Sequence, residues 1–595
     1  MNKDKHVVKS GIDIVCLIMI AFAWCFYIKG IYERFSIGNV TAYPCLVVMI
    51  IVGVIALSLY ACKSDRRDIG LIPMFMVLFL VYSLRAPDDL LGTYLWAEDG
   101  CVLLQNAIND GVKVLITPTS GTYWTIQKFI GLICYWICYC FKNLMFFPAL
   151  ESIFTKIVAS LGVSYFLSNR FNWLIESRTL RFIVCIVVIL AIPFYATDVI
   201  TCDTSLPFVL NFTVFLIGLD TLCRPESRVV SYKETIFLCL QALSTAAAPF
   251  VALVTGLSFV RWMYMKIRTK DIRAKLVLIE LLKTGIICIC VLIQVMCALG
   301  SSRVNGDLGL FQRLVTCIKD FVLFPYAYTF ENMKLFLIAV LAFACLALLT
   351  KMPWKVLSYS IIFSYCFLIY CSMIVDPDSI TYQIFREANG GARYIMILYM
   401  IAAFVLCIEI CRLWMDQSIK KVAGIVLFVT AMIVSVLTYS LPIMGYEYIE
   451  AYHDSIGAYN PDGKEVLIIN VAPWYSYGVS VPCSISDVSL GQSGSVQYSL
   501  ESINNQSAMC FSIQEGDYIP VEGWAISPEG DCFEYLFIER DDGSFLAPMQ
   551  IDSLDNSFVF YVHECDLTGN VLQFVGLTNS GERYCWNADI CMSYQ

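Results

Sequence analysis

The sequence predicts a polytopic membrane protein: about 13 transmembrane helices joined to a C-terminal, extracytoplasmic all-β sandwich domain. Three observations lead there. Hydrophobic residues make up 58% of the 595 positions and charged residues only 15%, with a mean hydropathy of +0.70; a soluble chain of this length would need far more polar surface to wrap its core. Apolar runs of roughly 17–25 residues recur as far as residue 442 and then stop. Charge divides at the same place. From residue 443 onward, Lys464, Arg540 and Arg583 stand against 22 acidic residues, whereas the preceding part holds 37 basic and 27 acidic residues. A basic membrane part and an acidic tail suggest different compartments.

The spans are expected near 11–28, 43–62, 71–84, 145–167, 182–196, 206–222, 234–247, 250–264, 276–298, 334–350, 356–374, 394–413 and 422–442. The first is read as a retained helix rather than a signal peptide, because "KGIYERF" follows it without a small-x-small cleavage site. Orientation comes from the basic loops, since cytoplasmic loops near span ends accumulate Lys and Arg. The segments 1–10, 63–67, 168–181, 223–233, 261–275, 351–355 and 412–421 carry 23 Lys and Arg. They fall on one side only if "YWTIQKFIGLICYWICYCF" (123–141) lies at the outer interface instead of crossing. The N-terminus is then cytoplasmic, and the loop 85–122 and the tail face outward. In "FLCLQALSTAAAPFVALVTGLSFV", Pro249 splits one apolar run into two short halves, a break tolerated where backbone lines a protein cavity. The segment 308–322 has the apolar spacing of a second interfacial helix.

Beyond 443 the pattern shortens. "KEVLIINV", "GSVQYSLES", "AMCFSIQ", "FEYLFIER", "SFLAPMQI", "SFVFYVHE" and "VLQFVGL" read as strands, with "RDDGS" and "TNSGE" as turns. Six of the 27 cysteines lie here (Cys483, Cys510, Cys532, Cys565, Cys585, Cys591) without a CxxC pattern, and their spacing leaves pairing open. The domain organisation is therefore 1–442, membrane, with the outward loop 85–122, and 443–595, extracytoplasmic.

The outward loop carries "WAEDGCVLLQNAINDG". Asp99-Gly100 can open the helical run "CVLLQNAIND", with Gly111 closing it, because a carboxylate favours a helix N-terminus. Glu98 and Asp99 can equally serve as a general base at the membrane surface, and the two roles are compatible. Outward cations include Arg303 in "GSSRVNG", Lys128 in "TIQKFI" and Arg393 in "GGARY"; each runs against the topological bias. Tyr394 belongs either to a site or to an interfacial aromatic belt. Asp198 and Asp203, in "YATDVITCDTSLP", are either solvated loop acids or ligands for a divalent cation or sugar hydroxyls. With three histidines in all and no clustered ligand set, the chain gives no indication of a metal or other cofactor. The acidic tail argues against nucleic acid as a partner. Trp474, Trp524 and Trp586 either fill its core or stack on sugars.

This layout resembles the GT-C class of membrane glycosyltransferases: an outward first large loop with an acidic pair, interfacial helices, many spans and a C-terminal β-domain. Within that class, "WAEDGCVLLQNAINDGVKVLITPTSGTY", "GGARY" and "VEGWAISPEGDCFEYLFIERDDG" are similar to a bacterial group with an A-E-D-G loop, related to GtrII-like surface-polysaccharide glucosyltransferases. The helix after "SGTY" commonly carries an Arg in that group, where this chain has Lys128. The resemblance implies transfer of one sugar from a polyprenyl-phosphate donor to an acceptor hydroxyl of a cell-surface glycan or polymer, outside a bacterial plasma membrane. It implies Asp99 as the base with Glu98 beside it, Arg393, Arg303 and Lys128 at the donor phosphate, and Tyr123, Tyr394, Asp198 and Asp203 lining the substrate. A transporter or flippase, and a polysaccharide polymerase or ligase, are the rival readings. No internal repeat favours the first, and the outer loops lack the His expected of the second.

Overall fold

The computed structural model describes residues 71–83, 95, 99–119, 121–190, 205–225, 228–244, 247–270, 273–299, 354–374, 392–415 and, with short breaks, 456–594. The spans expected at 11–28, 43–62, 334–350 and 422–442, and the helix at 308–322, lie outside them. The described residues are mainly helical up to Met415 and form β-sheets from Glu465 onward. It divides into two compact units, one of 1–87, 118–126 and 154–441, the other of 88–117, 127–153 and 442–595.

The helices are α1 Leu71–Ser83, α2 Gln105–Asp110, α3 Thr125–Phe141, α4 Phe147–Ser164, α5 Arg178–Leu190, α6 Leu206–Cys223, α7 Tyr232–Ala242, α8 Ala248–Thr269, α9 Ala274–Leu299, α10 Trp354–Ile374 and α11 Ala392–Met415. Among the described residues, four segments are long and apolar enough to cross a membrane: Leu144–Leu167, Leu206–Cys223, Ala248–Thr269 and Ala274–Ala298. They are compatible with a lipid bilayer. Pro249 sits in the first turn of α8, where its missing N–H would have no intrahelical partner anyway, so the long apolar run breaks into α7 and α8.

The first unit is organised around α6, which is apolar on every side and buried over 94% of its length, whereas α9 is buried over only 11%. A helix greasy all round belongs in the middle. Phe212 and Phe215 of α6 meet Phe404 of α11, and Phe215 stacks on Tyr359 of α10 at 5.2 Å. Gly218 permits that approach, because a Cβ there would lie 2.0 Å from the Tyr359 hydroxyl.

Among the buried charges of this unit is Asp220, on α6 itself. Asp220 is fully buried and faces Arg228, Arg224 at 3.9 Å and the Trp173 indole N–H at 3.3 Å. Arg228 also donates to both oxygens of Glu234, at 2.7 and 2.9 Å. Glu234 further accepts from Arg170, from the Tyr165 hydroxyl and from the Ser231 N–H, so it closes a capping box at the start of α7. Arg261 of α8 donates to the terminal carbonyls of Thr221 and Arg224, supplying partners that the end of α6 lacks.

The β-region holds a six-stranded sheet and a five-stranded sheet. The first is ordered β12 (Arg583–Asp589), β11 (Val571–Thr578), β7 (Phe533–Glu539), β8 (Phe545–Leu546), β1 (Glu465–Val471) and β2 (Trp474–Cys483). The second is ordered β4 (Gln506–Ser507), β3 (Gln497–Ile503), β6 (Tyr518–Ile526), β10 (Ser557–His563) and β9 (Gln550–Asp552); β5 (Phe511–Ile513) and β13 (Met592–Tyr594) pair in parallel. Alternation along β6 and β10 points Ile519, Val521, Phe558, Phe560 and Val562 into one core with Leu536, Ile538 and Phe574 of the other sheet. Phe574 stacks on Trp586 at 5.5 Å, so that tryptophan is largely core. Cys483 is buried and Cys585 exposed, both as free thiols.

Removing one member of a buried ion cluster strands the others in a low-dielectric site. Asp220→Ala is therefore expected to lower stability by about 3–5 kcal/mol, measured as the unfolding midpoint of the detergent-purified chain. Asp462→Ala, which breaks the fully exposed Lys142–Asp462 pair of the second unit, is expected to change it far less.

Candidate functional site

The acidic loop is helical, but not a single α-helix. Asp99 begins a π-helical turn, Asp99–Leu104, which passes into α2 and then, through Gly111, into a 3₁₀ segment Gly111–Ile116. Gly111 takes φ +53°, a conformation glycine adopts without a Cβ penalty, and this ends α2 as its position in the sequence implied. Leu103, Leu104, Ala107 and Val114 are buried. Single π turns are frequent at functional sites, because the extra residue redirects the side chains around it. Asp99 is only 3% exposed.

Helix α3 packs against this loop. Gly131 lies over Leu103, so that a Cβ there would stand 3.2 Å from the leucine Cβ. Lys128, 2% exposed, donates from Nζ to the carbonyl of Thr117 at 2.5 Å. Burial pulls its ammonium down to about 8, with Asp110 opposing the shift.

The β-strands of the same unit hold the loop from another side. Gly100 meets Val471 at the end of β1: a Cβ on residue 100 would fall 2.7 Å from one methyl of Val471 and 3.0 Å from the other. The Gln105 side-chain amide accepts from the Ser480 N–H at 2.7 Å and donates to the Ser480 carbonyl at 3.3 Å. It thus occupies the place a neighbouring strand would take beside β2. Lys142, just past α3, pairs with Asp462 at 2.6 Å.

Of the residues singled out in the sequence, Asp99 and Lys128 fall in this one unit, on elements that pack together. Tyr123 belongs to the other unit: its N–H donates to Gln294 Oε1 at 2.9 Å and its carbonyl accepts from Gln294 Nε2 at 3.3 Å. Arg393 and Tyr394 lie on the first turn of α11. Glu98, Arg303, Asp198 and Asp203 lie outside the described residues. Among the described residues no group of three His, Cys, Asp or Glu could hold a metal ion. "VEGWAISPEGDCFEYLFIERDDG" spans β6 and β7, crossing from one sheet to the other through a turn at Gly530, φ +88°.

Sequence reasoning passed over Gln105 and Gln127. Neither carries charge: Gln105 opens the polar helix "QNAIND", where one more amide draws no notice, and Gln127 is an amide in the largely apolar α3. Comparison with protein families finds no match to the chain, and comparison with curated proteins finds none either.

Gly100→Ala is expected to displace the π turn from Val471 and to lower stability by about 1–3 kcal/mol, read from thermal unfolding. The Lys128 shift has a defined sign. Its folded value lies below the ordinary 10.5, so the unfolded chain binds the extra proton between the two. Stability from this residue is therefore present above pH 10.5 and lost as pH falls through about 8. Relative to Lys128→Met, wild type is expected to gain up to about 3 kcal/mol between pH 7 and pH 11 in paired unfolding titrations.

Proposed function

We propose that the chain is a multi-pass glycosyltransferase of the plasma membrane, with about 13 spans, an N-terminus in the cytoplasm and its β-domain outside. It moves a single sugar from a polyprenyl-phosphate donor to an acceptor hydroxyl of a cell-surface glycan. The observation that carries this reading is the enclosed Asp99 carboxylate, opening a π turn that is gripped by both α3 and the β-strands.

The topology draws support from two sets of contacts within the first unit. Arg170, Arg224 and Arg228 gather around Asp220 and Glu234. Separately, the N–H and hydroxyl of Thr125 donate to the Leu243 carbonyl at 3.2 and 3.0 Å, and Tyr123 pairs with Gln294. An alternating thread with the N-terminus inside assigns every member of the first set to the cytoplasmic ends and every member of the second to the outer ends. The basic loops then lie inside, as the bias of inserted helices requires.

The chemistry asks for few groups. The acceptor hydroxyl attacks the anomeric carbon as the bond from that carbon to the phosphate oxygen breaks. Asp99 takes the hydroxyl proton, and the lipid phosphate departs with the electron pair. One displacement inverts the anomeric centre. Glu98 orients the acceptor. Arg393 and Arg303 neutralise the leaving phosphate, while Lys128, bonded to Thr117, braces the far end of the loop.

The test is reconstitution with radiolabelled polyprenyl-phosphate hexose and a surface-glycan acceptor. Asp99→Asn is expected to lower transfer by about 10²–10⁴-fold with the unfolding midpoint kept, as loss of a general base does. Glu98→Gln is expected to lower it less. Unchanged transfer in both variants would discard the assignment, and passage of the lipid-linked sugar across the bilayer without transfer would identify a flippase instead.

A further inference from the structure

Gln127, in the first turn of α3, is fully buried, and neither its Nε2 nor its Oε1 has a hydrogen-bond partner among the described residues. The other buried amides with an orphaned atom are placed differently: Gln241 donates to Asn211 at 3.2 Å and to the Pro207 carbonyl at 2.7 Å. An amide left wholly without partners carries a desolvation penalty on donor and acceptor alike, and an apolar residue of the same shape would avoid it.

The position of Gln127 says where the missing partner would come from. Residues 127, 131, 134 and 138 line one face of α3, and all four are buried. Gly131 of that face lies against Leu103, in the π turn opened by Asp99. The orphaned amide thus shares the side of α3 that carries Gly131, one turn before its contact with the acidic helix. Its chemistry narrows the ligand. A phosphate only accepts hydrogen bonds and would leave Oε1 bare, whereas sugar hydroxyls both donate and accept and satisfy both atoms.

We propose that Gln127 binds hydroxyl groups of the hexose at the Asp99 site, and so helps select the sugar. This rests on the glycosyltransferase reading for the identity of the site, though the orphaned amide stands without it.

The experiment uses the full-length chain in detergent, wild type and Gln127→Leu. Probes are polyprenyl-phosphate glucose, galactose and mannose, each with its set of monodeoxy analogues. Three quantities are read: ligand-free unfolding midpoint, direct binding by calorimetry, and transfer to a surface-glycan acceptor. The leucine variant is expected to be at least as stable as wild type. Removing one particular hydroxyl is expected to weaken binding to wild type about tenfold to a hundredfold, because the amide is then left bare, and to change nothing in Gln127→Leu.

A lower unfolding midpoint for Gln127→Leu would overturn the proposal, since the amide would then be holding the fold. So would equal deoxy penalties in the two proteins, or no binding of any of the three lipid-linked hexoses to wild type. Hydroxyl-dependent binding through Gln127 without transfer by wild type would sustain the ligand assignment and defeat the transferase reading. Transfer by wild type with a Gln127-independent hydroxyl pattern would do the reverse.

Discussion

The second unit depends on how the Gln105 side chain pairs with the main chain at Ser480. An amide presents one donor and one acceptor side by side, as a peptide group does, so it can complete the open edge of β2 without a further strand. Gly100 makes the same junction possible sterically, by leaving room for both methyls of Val471. Between these two points lie the π turn and the first residue of α2. Asp99 is thus fixed by elements on two sides, and a carboxylate held so firmly has a set direction. Fixed geometry of this kind is what the general-base role proposed for Asp99 would require.

The helical unit is governed by a different constraint. A charge inside an apolar shell is tolerated only with partners, and Asp220 has them in Arg228, Arg224 and Trp173. Glu234 binds Arg228 and Arg170 together, so the end of α6, the start of α7 and the segment after α4 are tied through two carboxylates. Such a cluster adds little net stability over well-packed apolar side chains. Its effect is on register: sliding any one helix by a turn would strand a buried carboxylate.

Much of the helical layout was legible because its causes are local. Pro249 has no N–H to give to a preceding turn, so it sits in the first turn of α8 and the chain breaks before it. Gly111 ends α2 because only glycine takes positive φ readily. The strands read from alternation, β1, β7, β10 and β11 among them, are present. β2, "WYSYGVSVPC", was also passed over, and in β6 and β12 the composition is to blame. β6 carries Pro520 and Gly523, both poor strand residues, yet it is central to its sheet: Gly523 lets β3 approach to 2.4 Å of where a Cβ would be. β12, "RYCWNAD", looks polar because only Tyr584 and Ala588 turn fully inward. The candidate site was half legible. Acidic residues announce themselves, whereas Gln105 and Gln127 act through what surrounds them, and surroundings 375 residues away leave no mark on a local pattern.

That same separation has a consequence for biogenesis. Gln105 emerges from the ribosome 375 residues before Ser480, its main-chain partner. At the usual pace of synthesis the acidic helix waits roughly 20–75 s before the strand it clasps exists. Throughout that interval the Asp99 turn lacks half its support. The acidic turn would reach its clasped form only once synthesis has passed Ser480.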